Sequence, residues 1–180
     1  MFERYTQPAR IAIYCARHSA LHAKSDEIDT RHILLGLLRA SRVNTLFRLR
    51  ELLPAEAATL DGESLDVVKK DIPLSRDAKR VLAYTAMEAD RLNDVWIDAE
   101  HLLLGLLREK QCTGAKSLIE IGINLSDARK TINEQKSTRP DYGQPPVLIQ
   151  DRGHREFKQL LIWVFALTTV ILALVMLQRR

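Results

Sequence analysis

Two stretches of this chain carry the same sequence at the same register. Sliding the chain on itself by 69 residues, without a gap, lays Thr6–Arg39 onto Ser75–Arg108. The best-matched part is Ile28-Asp29-Thr30-Arg31-His32-Ile33-Leu34-Leu35-Gly36-Leu37-Leu38-Arg39 over Ile97-Asp98-Ala99-Glu100-His101-Leu102-Leu103-Leu104-Gly105-Leu106-Leu107-Arg108. A His, a Gly and four Leu do not recur in step by chance. Residues up to about 135 therefore read as a tandem duplication, and whatever one copy folds into the other must fold into as well.

The repeated unit has helical periodicity. Thr6 is placed to cap a first helix, with Pro8 tolerated in its first turn and Ala9, Ala12, Ile13, Ala16 and Ala20 on one face as far as about Ala23. Asp29 or Thr30 caps a second helix whose apolar face is Ile33, Leu34, Leu37 and Leu38. Gly36 lies inside that helix and recurs as Gly105. A mid-helix Gly costs about 1 kcal/mol against Ala, so its repetition points to a close approach between helices rather than a break. Val43 to Leu53 reads as a third helix stopped by Pro54, and Ala55–Leu60 as a short fourth piece. In the second copy Ser75 and Asp98 cap the first two helices, Ala115–Ile121 forms the third up to Gly122, and Ser126 caps the last. No segment alternates as a strand does. The expectation is an all-α domain over 1–135, about eight short helices in two pseudo-symmetric repeats (about 5–60 and 74–135).

Beyond that the helical pattern stops. Pro140, Gly143, Pro145 and Pro146 mark 136–156 as a flexible linker. Leu160 to Leu177 then carries no charge, with Thr168 and Thr169 as its polar residues. At 1.5 Å per residue this run covers about 27 Å, close to the hydrocarbon thickness of a bilayer. With Lys158, Trp163, Arg179 and Arg180 suited to its interfaces, 157–178 reads as a single transmembrane helix. The start of the chain has no apolar leader, so the domain is expected on the cytoplasmic face as a tail-anchored protein. Net charge is +4 and mixed along the domain, so a nucleic-acid partner is not expected. Cys15 and Cys112 fall in apolar-periodic stretches and read as buried thiols of a reducing compartment.

The doubled His-x-Leu-Leu-Gly-Leu-Leu-Arg pattern, His32–Arg39 and His101–Arg108, resembles the Clp N-terminal domain (Clp repeat) of Hsp100 ATPases, most closely the ClpC type. The opening Met1-Phe2-Glu3-Arg4-Tyr5-Thr6-Gln7-Pro8-Ala9-Arg10 is similar to that family's start. The resemblance covers about residues 1–135. It implies two four-helix repeats about a pseudo-dyad, with no chemistry of their own, that recruit adaptors and client proteins to an attached unfoldase. It also favours a bacterial inner membrane for the anchor. The chain has no Gly-x-x-x-x-Gly-Lys-Ser/Thr phosphate loop, so unfoldase activity is not carried over. ClpC-type domains can bind phosphorylated arginine through the acidic residue before each motif His. Here that residue is Glu100 in the second copy and Arg31 in the first, so one such site at most survives.

The remaining candidates are weighed on residue type. His32 and His101 invite a catalytic reading, but no Ser, Cys or Asp recurs with them in a triad-like pattern, and each suits a hydrogen bond to the loop before it. Cys15, His18 and His22 sit at i, i+3 and i+7 and could bind Zn²⁺, whereas Tyr84, Met87 and Arg91 replace them in the second copy. Tyr84 and Trp96 are candidates for a hydrophobic peptide groove. Arg39, Arg42, Arg48 and Arg50 read as a solvated basic face. No enzyme activity and no cofactor are expected. The leading expectation is a membrane-anchored protein-interaction module for adaptor, client or Clp-type ATPase and protease proteins. The alternatives are a metal-dependent enzyme and a structural membrane protein associating through its tail.

Overall fold

The computed structural model describes residues 2–58 and 71–143. The transmembrane helix expected at 157–178 and the linker from 144 onward lie outside the described residues. Among the described residues no helix is long and apolar enough to cross a membrane.

Each copy begins with a two-helix hairpin. In the first, α1 (Gln7–His22) runs into α2 (Thr30–Leu38); in the second, α6 (Arg76–Arg91) runs into α7 (Ala99–Arg108). The caps follow the repeat. Thr6 accepts the amide of Ala9, and Ser75 accepts that of Ala78. Asp29 and Asp98 head α2 and α7, each in a reciprocal capping box with the His three residues on. Helices of nine or ten residues are marginal alone, so packing must hold them. Leu34, Leu37 and Leu38 of α2 and Leu102, Leu103, Leu104, Leu106 and Leu107 of α7 are almost entirely sealed from solvent. Burying each such side chain stabilises by about 1.5–3 kcal/mol.

The repeated glycines set how close the hairpin helices come. A Cβ on Gly36 would lie 2.0 Å from the carbonyl oxygen of Ala12, and one on Gly105 2.7 Å from that of Val81. Ala12 and Val81 are themselves equivalent in the duplication, so the same backbone-to-backbone contact is built twice.

The copies are also exchanged at their starts. Tyr5 pairs with Ile97, and Leu74 with Ile28, as parallel single-residue bridges. The hydrogen bonds repeat with the duplication: Thr6 N donates to Ile97 O at 3.0 Å and Ile97 N to Arg4 O at 2.8 Å, while Ser75 N donates to Ile28 O at 2.9 Å and Ile28 N to Pro73 O at 2.8 Å. The segment entering each copy is thus paired to the loop of the other.

Three boundaries differ from the sequence expectation. The third helix of the first copy is not continuous to Pro54. It breaks into α3 (Ser41–Phe47) and α4 (Leu49–Leu52) at Arg48, whose φ is 51°. Val43 and Leu49 both bury completely; six residues apart, they would point about 120° from each other around one straight helix. Asn44 ties the break, donating from Nδ2 to Leu38 O and accepting Arg50 N at Oδ1. Pro54 then opens a helix of its own, α5 (Pro54–Ala58). In the second copy α8 (Thr113–Glu120) precedes α9 (Leu125–Glu134), which is capped by Asn124, not Ser126: Asn124 Oδ1 accepts Asp127 N at 3.0 Å. Nine α-helices therefore stand among the described residues, with no strand.

Substituting Gly36→Ala tests the close approach. A helix-propensity gain of about 1 kcal/mol opposes a clash with backbone worth about 1–3 kcal/mol or more. The expected outcome is a fall in melting temperature of about 5–10 °C, and a rise would refute the contact.

Candidate functional site

The loop before α7 gathers a cluster of polar interactions. The ring of His101 is completely buried. Its Nδ1 accepts Asp98 N at 2.8 Å, so the ring proton sits on Nε2, 3.0 Å from Asp94 Oδ2. His32 makes the equivalent Nδ1 contact to Asp29 N at 3.1 Å. Thr6 Oγ1, arriving from the other copy, donates to Asp98 Oδ1 at 2.9 Å.

Glu100, in the first turn of α7, has a side chain with no solvent exposure. A buried carboxylate must be paired. Here it is held by two guanidiniums of its own chain, Arg42 from α3 and Arg139, whose Nη2 lies 2.7 Å away. Arg42 is thus not part of a solvated face. It also donates to Gln135 O at 2.9 Å and Thr138 O at 3.1 Å. An external guanidinium could reach Glu100 only by displacing these partners. Arg31, the equivalent in the first copy, is exposed.

Asp94 completes the cluster. Lys136 Nζ lies 2.6 Å from its Oδ1, and Arg139 contacts its Oδ2. Burial alone would push its carboxyl up, but hydrogen bonds from His101, Lys136 and Arg139 outweigh that and hold it well below the usual aspartate range. Tyr142 donates its hydroxyl to Asp98, and burial together with that bond pushes the phenol up. Trp96, half-buried in the same loop, donates from Nε1 to Gly143 O at 3.1 Å. Residues 136–143, the first part of the expected linker, therefore lie across the loop. A 3-10 turn, Lys136–Thr138, carries the chain into them.

The other candidates lie elsewhere. Tyr84 on α6 packs under Arg108, whose guanidinium carbon is 4.7 Å from the ring centre. Nearby, the wholly buried Glu88 is clamped by Arg108 at 3.0 Å and Arg129 at 2.7 Å, tying α6, α7 and α9 together. Trp96 thus contacts Gly143 and Tyr84 contacts Arg108. An apolar cavity of about 520 Å³ opens beside α1, lined by Phe2, Glu3, Arg10, Ile13 and Tyr14. The rings of His18 and His22 lie 4.7 Å apart. Among the described residues no group of three or more His, Cys, Asp or Glu is placed to hold a metal ion. Cys15 and Cys112 are buried, and Cys112 Sγ accepts Ala115 N at 3.4 Å as the cap of α8.

The sequence reading named Glu100, Trp96 and the two histidines, and Arg42 only within a basic face; it did not name Asp94, Glu88, Arg139 or Tyr142. The signal that existed was asymmetry under the repeat: Asp94, Trp96, Glu100 and Glu88 stand where the first copy has Ser25, Glu27, Arg31 and Ser19.

The depressed Asp94 fixes a pH dependence. A carboxyl whose folded value lies below its unfolded one stabilises fully above the ordinary aspartate range, and that stability is lost as pH falls through the folded value. Thermal stability of the intact chain should not change through Asp94 between about pH 8 and pH 5, and should fall below about pH 4. Asp94→Asn should flatten that acid limb, and an unchanged limb would contradict the assignment.

The profile of the Clp repeat (R) N-terminal domain matches residues 4–120 and 73–150. The chain is 32% identical over 138 residues to the negative regulator of genetic competence ClpC/MecB of Bacillus subtilis, covering 73% of this chain and 17% of that protein. It is 31% identical over 137 residues to the chaperone protein ClpB of Oceanobacillus iheyensis, again with 73% and 17% covered. Among solved structures, the Hsp104 N-terminal domain from Candida albicans superposes with a TM-score of 0.58 at 16% identity, covering 75% of this chain and 93% of that one.

Proposed function

The chain belongs to the Clp repeat (R) N-terminal domain family, and we propose that it is a membrane-anchored protein-interaction module that binds adaptor, client or partner proteins at the cytoplasmic face. In Hsp100/Clp proteins this domain is a non-catalytic interaction domain that binds adaptors and substrates. The chain spans only 17% of the length of the Bacillus relative, so the role proposed here is that of the domain and not of the whole ATPase. In this reading the chain does no chemistry and needs no cofactor. Residues 157–178 hold it in the bilayer as one transmembrane helix, and its partners include Clp-type ATPase or protease components.

The observation that carries the reading is the combination of the family match over 4–120 and 73–150 with a charge-free run from Leu160 to Leu177. The apolar cavity beside α1, with Ile11 and Tyr14 about half exposed near it, supports a polypeptide as the bound species. Buried apolar anchors at such a surface dominate protein–protein binding energies.

Proximity labelling from the N-terminus in intact cells tests the reading. The full chain should resist carbonate extraction from membranes and should enrich adaptors or Clp components over a control bearing the tail alone. Extraction of the chain into the soluble fraction would remove the anchor from the proposal. Labelling no different from the tail control would remove the recruitment role.

A further inference from the structure

The two hairpins differ along one stripe of their first helices. His18 and His22 stand one turn apart on α1, where α6 has Met87 and Arg91. Histidines at i and i+4 project from one face of a helix, the spacing by which helical metal sites present two imidazoles to one ion. The second hairpin forms without such a pair, so the fold itself does not call for it.

The placement of the rings matches a shared ion. Their centres lie 4.7 Å apart, with 38° between the planes. An imidazole bonded to Zn²⁺ at about 2.0–2.1 Å has its ring centre about 3.2 Å from the metal. Two such rings, meeting the metal at about 90° to 110°, place their centres about 4.5–5.2 Å apart. The observed separation falls inside that range.

Burial divides the pair in a useful way. His18 is 3% exposed, whereas His22 is open to solvent. A ring already packed in place loses little freedom on binding, and the exposed ring gives an ion a way in. The local field also favours a cation. His22 lies in the last turn of α1, and the carbonyl end of a helix carries partial negative charge. Cys15 precedes His18 by three residues and is buried. Among the described residues no group of three His, Cys, Asp or Glu is placed to hold a metal, so Cys15 is not counted as a third ligand. Two protein ligands leave the other positions of a four-coordinate ion to water.

We propose that His18 and His22 form an open site for one divalent transition-metal ion of the class that imidazole suits, such as Zn²⁺ or Ni²⁺. Mg²⁺ and Ca²⁺ take oxygen donors and are excluded by the two nitrogens. The site goes beyond the protein-binding reading and does not rest on it.

The probe is ZnCl₂, titrated by calorimetry into the untagged full chain in detergent and into the full chain carrying His22→Gln. The parent should take up one ion per chain that the variant binds about tenfold or more weakly. His22→Cys, which keeps a zinc ligand at the same place, should recover that uptake. Because His22 is exposed, His22→Gln should melt within about 2 °C of the parent when no metal is present. Saturating ZnCl₂ should then raise the melting temperature of the parent by several degrees and leave that of His22→Gln unchanged. Equal uptake by parent and His22→Gln overturns the proposal, because the ion would then sit on other groups of the chain. No uptake by the parent, or uptake of MgCl₂ as strong as that of ZnCl₂, overturns it as well. The recruitment role is read by proximity labelling and is untouched by any of these outcomes.

Discussion

The missing side chain at two helix positions is the constraint on which the domain depends. Gly36 and Gly105 let α2 touch α1, and α7 touch α6, backbone to backbone, at distances no Cβ would allow. That contact fixes the angle and depth of each hairpin. It lets the leucines of α2 and α7 bury in the core of the domain. The helix-propensity penalty of about 1 kcal/mol per glycine is small beside the burial it permits.

The hairpins are made one unit by exchange. Each copy's entry segment bonds to the other copy's loop, through Tyr5 with Ile97 and Leu74 with Ile28. Unpairing either bridge would expose main-chain groups of both copies, so the halves do not separate at low cost. Thr6 carries the exchange into the side chains, capping α1 and donating to Asp98 at the head of α7.

Symmetry of backbone is combined with asymmetry of charge. The leucines, glycines, caps and motif histidines repeat, whereas three carboxylates do not. Glu88, Asp94 and Glu100 belong to the second copy alone, and each draws in arginines from elsewhere in the fold: Arg108 and Arg129 to Glu88, Arg139 to Asp94, Arg42 and Arg139 to Glu100. The duplication thus supplies a rigid frame twice and leaves one of its two loops to differ. That loop is where the chain itself lies across the surface.

The backbone frame was legible in the sequence because it depends on local rules and on repetition. Period and capping chemistry marked α1, α2, α6 and α7, and the recurring glycine marked a close approach before any partner helix was known. The break at Arg48 was not legible, because it answers to the burial of both Val43 and Leu49 against helices distant in sequence. The cap was placed at Ser126 rather than Asn124 because Asn and Ser are both favoured N-caps and they stand two residues apart. The charged cluster was the least legible part. Glu100 looked like an available carboxylate, and Arg42 like a surface cation, because sequence gives charge without neighbours. Tertiary structure brings Arg42, Asp94, Glu100 and Arg139 together over separations of up to 97 residues, and burial then forces each carboxylate to take the cations within reach. Which elements form was determined by the sequence. Which charges meet was decided by the fold, since a buried charge must be paired and only the packed chain sets its partners.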